Sequence, residues 1–196
     1  MKYYVLLTGD VDDAAIIEGH PDEVTDVIAG YKFRKAVSLV KEFPALPGYS
    51  MDPEFPDNRL LTDSLDNTDE LLIFSEALTD IVKSLEQENI ELLPVKILDH
   101  RGKVASEKYN IINVVGTVDC IDWDNSKYVV SPMDSDELHR IKKLVLIESN
   151  IPQGTHILRL HKKPGQILVS EKFKQSVETL GLTGMRFVAT EDFKGR

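Results

Sequence analysis

The chain of 196 residues has a single cysteine, Cys120. That excludes an internal disulfide framework and fits a reducing compartment. Long apolar runs are missing as well. Unbroken stretches reach about five residues, as in "YYVLL" and around Leu144–Ile147, against the ~20 that a bilayer-spanning helix needs. "YYVLL" also meets Thr8, Gly9 and Asp10 too soon to form a signal-peptide core. The expectation is a soluble, cytoplasmic protein. Neither type of glycine-rich phosphate loop occurs: "TGDVDD" and "GLTG" are too short and miss the lysine or the glycine triplet. The nucleophile-elbow pattern G-x-S-x-G is absent, as are low-complexity tracts and repeats of solenoid length.

Basic residues are scarce in the first third. Residues 1–70 hold 15 acidic and 6 basic side chains, residues 71–146 hold 13 and 9, and residues 147–196 hold 5 and 8. The net charge of −10 is therefore concentrated before residue 70. Such a field disfavours nucleic acid as a direct partner and favours a basic one. The same acidity would also keep a chain soluble with no partner at all.

What is present divides near residue 70. "KYYVLLTG" has the aromatic and β-branched content of an opening strand and a glycine stop. "DVDDAAIIEGHPDEVTDVIAG" is polar and broken by Gly19 and Pro21, an exposed loop with one short helix. "YKFRKAVSLVKEF" fits helical spacing at Phe33, Val37 and Val40 but strand alternation from Ala36 to Val40. "PALPGYSMDPEFPDN" carries four prolines and is expected to be a loop. We expect residues 1–70 to form an acidic, loop-rich N-terminal region with an opening strand and residues 71–196 a mixed α/β domain, the alternative being one continuous globule.

The second region uses one device twice. "LLIFSEALTDIVKSL" (Leu71–Leu85) and "QILVSEKFKQSVETL" (Gln166–Leu180) align at a constant offset of 95 residues. Each begins as an apolar strand and ends it in Ser-Glu. A serine there can accept an unpaired helix N–H, and the glutamate suits the positive end of the helix dipole. Position Ser+3 is Leu78 or Phe173, so neither copy is a capping box. Leu78, Ile81, Val82 and Leu85, and in the second copy Phe173, Val177 and Leu180, share one helix face. "IELLPVKIL" and "MRFVAT" follow as strands. "YNIINVVGTVDCIDW", "KLVLIES" and "THILRLHKK" are further strand candidates, and "SPMDSDELHRIKK" predicts a brief helix. The expected fold is α+β, a mixed α/β arrangement of two strand–helix–strand units around a partly antiparallel sheet.

Catalytic chemistry finds few carriers. Cys120 has no positive residue within five positions to lower its pKa, as expected of a buried strand cysteine. Asp119 and Asp122 are three apart and would face opposite ways on a continuous strand. His156 and His161 are five apart with the same consequence, while His20, His100 and His139 are scattered without ligand spacing. The serines could hold anions at helix N-termini, but ordinary capping accounts for them. Trp123 and Tyr128 suit edge packing as well as a binding anchor. We expect no catalytic residue, metal or cofactor. The enzymatic or small-molecule-binding alternative would assemble a site from Asp119, Asp122, Arg159 and His161.

Leu72-Ile73 before Ser75-Glu76, Leu93-Pro94-Val95, Asn110 and Asn113 leading to Asp119 and Asp122, Leu158-Arg159-Leu160, Val169-Ser170-Glu171, and Gly181-x-x-Gly184 before Phe187 occur in this order. In these features the chain resembles a family of bacterial immunity proteins from polymorphic toxin systems, over roughly residues 60–196. The resemblance implies a cytoplasmic inhibitor, encoded beside a toxin and protecting the producing cell by binding it. It carries over no catalytic residue. Combined with the acidic first third, it places the expected grip on a basic toxin among Asp10, Asp12, Asp13, Asp22, Glu23, Asp26, Asp52, Glu54 and Asp57. Neither nucleic acid nor a membrane is expected as partner.

Overall fold

The structure is a computed structural model that describes residues 1–195. In chain order the elements are β1 (Tyr3–Thr8), β2 (Ile16–Ile17), α1 (Asp22–Thr25), β3 (Gly48–Ser50), β4 (Ser64–Asn67), β5 (Ile73–Ser75), α2 (Glu76–Ser84), β6 (Ile90–Leu98), β7 (Val104–Val114), β8 (Lys127–Val130), β9 (Leu138–Lys143), β10 (Ile157–Leu160), β11 (Lys163–Ser170), α3 (Glu171–Leu180) and β12 (Met185–Ala189). Short 3₁₀ turns occupy Gly30–Arg34, Glu148–Asn150 and Thr190–Asp192.

The repeated sequence builds two units with the same strand order. One sheet contains β4-β5-β7-β6 and the other is β10-β11-β1-β12. Each has an antiparallel hairpin, β4–β5 or β10–β11, followed by a helix that carries the chain to the far strand. A central strand lies antiparallel to both of its neighbours, so the strands before and after each helix run parallel with one strand between them. In the first unit that central strand is β7, the continuation of β6. In the second it is β1, from the opposite end of the sequence. The first sheet is widened by β2 beside β4 and β3 beside β6, both parallel.

Alternation along the strands leaves both faces of each sheet apolar. In β5, Ile73 points to one side and Phe74 to the other. The inner faces meet in a shared core containing Phe74, Ile112, Ile167 and Val169 with Leu78, Ile81 and Val82 of α2 and Phe173 and Val177 of α3. The outer face of the first sheet is covered by Ala15, Ile17, Val24, Ile28, Phe33, Leu39, Tyr49 and Met51 from the chain before β4. That of the second is covered by Cys120, Ile121, Leu138, Ile141, Leu144 and Ile151 from the chain before β10, joined by Phe193.

Both serines end a strand and cap a helix. Leu78 N donates to Ser75 Oγ at 3.3 Å and Phe173 N donates to Ser170 Oγ at 3.2 Å. Each hydroxyl has a further partner, Asp63 Oδ1 at 2.8 Å for Ser75 and His156 Nδ1 at 2.9 Å for Ser170. These partners tie the units together. Asp63 Oδ2 accepts from Thr183 N and Oγ1, after α3, while Gln87 Oε1, after α2, accepts from His156 N and Ile157 N. Gly184 completes the first tie at φ +86°, where an added Cβ would lie 2.1 Å from Ser64 O. Only glycine fits.

The structure differs from the sequence reading in several places. "KLVLIES" forms no strand beyond the end of β9, only a bridge at Leu146; the loop after β1 contains β2 and buries Ala15, Ile17, Val24 and Ile28; and Leu180 is exposed at the end of α3. "SPMDSDELHRIKK" forms a turn and β9 rather than a helix. Leu138 and Ile141 are buried three residues apart because the β8–β9 ladder is irregular, which mimics helical spacing. The proline-rich segment contains β3, held by the edge of β6. The ambiguous "YKFRKAVSLVKEF" begins in a 3₁₀ turn and continues without a strand or α-helix. The strand through "YNIINVV" ends at Val114, so Asp119, Cys120 and Asp122 are not on it.

Replacing either capping serine by alanine is expected to cost about 1 kcal/mol in urea unfolding. Ser170→Ala should cost more than Ser75→Ala, because it also leaves the buried His156 ring without its partner. Gly184→Ala should exceed both. Burial lowers the pKa of His156, with Lys172 adding to the effect. It also lowers that of His20, outweighing the opposing pull of Asp69. Both rings therefore take up a proton more readily in the unfolded chain. Stability should be full above the ordinary histidine value of 6.5 and fall as pH drops below it, which urea midpoints between about pH 7.5 and about pH 5 would reveal.

Candidate partner-binding surface

Two loops of the first third are stitched side by side by backbone hydrogen bonds. Arg59 N and Leu60 N both donate to Asp13 O, Ala15 N donates to Leu60 O, and Asp52 N donates to Ile16 O. Asp13 stands at φ +57°, a left-handed conformation that aspartate tolerates better than most residues. This pairing brings Asp12 and Asp13 to the loop that carries Asp52, Glu54 and Asp57. Asp10 stands just ahead, where the chain leaves β1. Asp22, Glu23 and Asp26 form a separate group on and after α1, anchored by the buried Val24 and by Glu23 Oε1, which accepts from Gly48 N at 2.5 Å. Eight of the nine carboxylates are exposed and Asp52 is half-buried. Among the described residues none of the nine has a cation within 4.0 Å.

Apolar residues sit among these acids, and sequence reasoning missed them. Phe55 is 43% exposed and Leu60 52%. Phe55 follows Pro53 and Glu54, inside a turn where its N–H donates to Asp52 O and its carbonyl accepts from Asn58 N. Asp52 Oδ1 accepts from Glu54 N, and Arg59 Nε donates to Pro56 O at 2.8 Å. The aromatic ring is thus presented on an ordered turn. The signal in the sequence is the bracketing of Phe55 by Pro53 and Pro56, which keeps it out of any strand or helix.

The side chains of the alternative quartet differ in environment, although the bridge of Val118 to Leu160 sets Asp119 beside His161 along the backbone. Arg159 is 6% exposed. Its guanidinium donates to three carbonyls: Nε to Val114 O at 3.1 Å, Nη1 to Pro164 O at 2.7 Å and Nη2 to Phe33 O at 3.2 Å. Burial lowers its pKa to about 10, so it remains charged at neutral pH. His161 is exposed, with Nδ1 3.4 Å from Thr117 Oγ1. Asp122 is committed to its own turn, accepting from Asp124 N and from Asn125 N and Nδ2, bonds that hold its pKa below the usual carboxylate range. Asp119 is exposed. No three His, Cys, Asp or Glu residues cluster as metal ligands among the described residues. Cys120 is fully buried, and burial beside Asp119 pushes its thiol up to about 11. No helix among the described residues is long and apolar enough to cross a membrane.

Compared with known families, residues 10–192 match the model of the Immunity protein family (Imm11). The match begins at residue 10, so the acidic loops lie within the family pattern rather than ahead of it. No curated protein matches the chain.

Two outcomes follow from this geometry. Arg159→Ala would leave the buried carbonyls of Val114 and Phe33 and the half-buried one of Pro164 without this donor, and should cost about 3 kcal/mol, at ~1–3 kcal/mol for each unmet buried group; chemical denaturation measures this. Cys120 should resist thiol alkylation at neutral pH in the folded protein and react once urea exposes it, because a protonated, buried thiol is not a nucleophile.

Proposed function

Since the chain belongs to the Imm11 immunity protein family, we propose that it binds and neutralises a cognate bacterial toxin in the cytoplasm of the producing cell, and that the toxin attacks nucleic acid. It acts by occupation, without catalytic turnover. The observation that carries this reading is the paired-loop surface: unpaired carboxylates at Asp12, Asp13, Glu54 and Asp57 around the exposed Phe55 and Leu60. A nucleic-acid-attacking toxin needs cationic surface to engage phosphate, and an acidic inhibitor competes for that surface with fast, steered association. An exposed aromatic within an acidic rim has the composition of an interface anchor. A stable complex would bury ~1,600 Å² in total. The α1 acids Asp22, Glu23 and Asp26 extend the field and add to the steering.

Reversing Asp10, Asp12 and Asp13 together to lysine tests the acidic grip. The association rate with the toxin domain should fall about tenfold or more at low salt and approach the wild-type rate at high salt, since steering is screened. Phe55→Ala should instead raise the dissociation rate. An unchanged rate at both salts in a folded triple variant would remove this cluster from the interface.

A further inference from the structure

A second surface lies where the two units meet. The hairpins β4–β5 and β10–β11, equivalent in the two units, face each other across a cleft of about 1340 Å³. They approach closely enough that a Cβ added at Gly165 would lie 3.4 Å from Glu70 Oε2. The volume exceeds the ~300–1,000 Å³ of ordinary small-molecule pockets. Its lining combines apolar side chains such as Leu65, Leu71, Leu138, Ile141, Ile167 and Val188 with charged ones.

Charge in the cleft runs against that of the chain. Six cations line it, Arg34, Lys35, Lys162, Lys163, Arg186 and Lys194, against four acids, Asp69, Glu70, Glu137 and Asp192, in a protein of net charge −10. Arg34 pairs with Glu70, Lys35 with Glu137 and Lys162 with Asp136. Lys163 donates to a carbonyl, His139 O. Among the described residues, Lys163, Arg186 and Lys194 have no carboxylate within 4.0 Å. Arg186 and Val188 belong to β12, which pairs with β1 alone. Leu7 and Thr8 of β1 and Gln166 and Ile167 of β11 line the cleft beside them, so its floor is the face of this sheet.

We infer that this cleft receives an extended, carboxylate-bearing segment of the toxin, laid over the sheet face formed by β11, β1 and β12 with its acids toward Lys163, Arg186 and Lys194. The inference rests on the toxin-binding reading and adds a second point of contact, opposite in charge to the acidic loops. A bipartite grip of this kind selects a partner by two unlike patches rather than by one broad attraction.

The test uses the full chain and a catalytically inactivated form of the toxin domain encoded beside it. A photoreactive p-benzoylphenylalanine is placed at Arg186, at Asp57 in the acidic loops, or at Glu178 on the exposed side of α3. The charge-reversed pair Arg186→Glu/Lys194→Glu is measured in parallel, with its fold checked by thermal melting. Cross-linking at Arg186 to an acidic stretch of the toxin, with Kd weakened about tenfold or more by the charge reversal, is the expected result. Cross-linking confined to Asp57, with wild-type affinity in the charge-reversed variant, overturns the cleft proposal and leaves toxin binding intact. If the wild-type chain forms no complex with the toxin domain, toxin neutralisation itself falls, and this inference with it.

Discussion

Each of the two large sheets of this protein has two apolar faces and only one long helix, α2 or α3, packed on it. That imbalance governs the remaining architecture, because an apolar sheet face must be buried against something. The two helices solve half of it by packing together, so that α2 and α3 fill one core with the inner faces of both sheets. The outer faces need separate cover. It comes from the long segment ahead of each hairpin, residues 15–51 for the first unit and 120–151 for the second. These segments contain only short strands, turns and the short helix α1, yet they contribute fully buried residues such as Tyr49 on β3 and Ile28. Both faces of the two large sheets are thereby used for packing.

Polar side chains hold the covering segments in register with the sheets. Glu91 on β6 accepts from Ser38 Oγ, Leu39 N, Val40 N and Asn113 Nδ2. Its burial would raise the carboxyl pKa, but these hydrogen bonds outweigh burial and hold it below the usual value. Arg159 connects its own hairpin, the end of β7 and the 3₁₀ turn of the first covering segment through carbonyls alone. A cation buried without a carboxylate is tolerated when its donors are met. Packing and hydrogen bonding thus account for the positions of Asn113 and Arg159.

The distribution of charge acquires a spatial meaning once the fold is known. Acids of the first third lie on paired loops at one surface, while the basic surplus of the last third contributes Lys163, Arg186 and Lys194 to the seam between units. A chain of net charge −10 therefore presents two patches of opposite sign. Net charge controls long-range attraction, but local sign decides which part of a partner can sit where.

The sequence by itself determined the duplicated unit. The offset of 95, the Ser-Glu junctions and the helical spacing at Leu78, Ile81 and Val82 are local patterns, and local patterns survive without knowledge of neighbours. Exposure of the acidic residues was equally legible, since an unpaired carboxylate is costly to bury. Only the tertiary structure decided which strand fills the middle of each unit. β1 joins β11 and β12 across more than 150 residues of sequence, and pairing between distant strands leaves no mark in either strand alone. The same holds for β9, whose helix-like spacing of Leu138 and Ile141 is produced by an irregular ladder and settled by the core beneath it. Phe55 reversed the usual rule for aromatics because its turn, closed by Asp52 and flanked by prolines, presents it to solvent. The seam exists only because two units fold against each other, so no stretch of the chain could announce it.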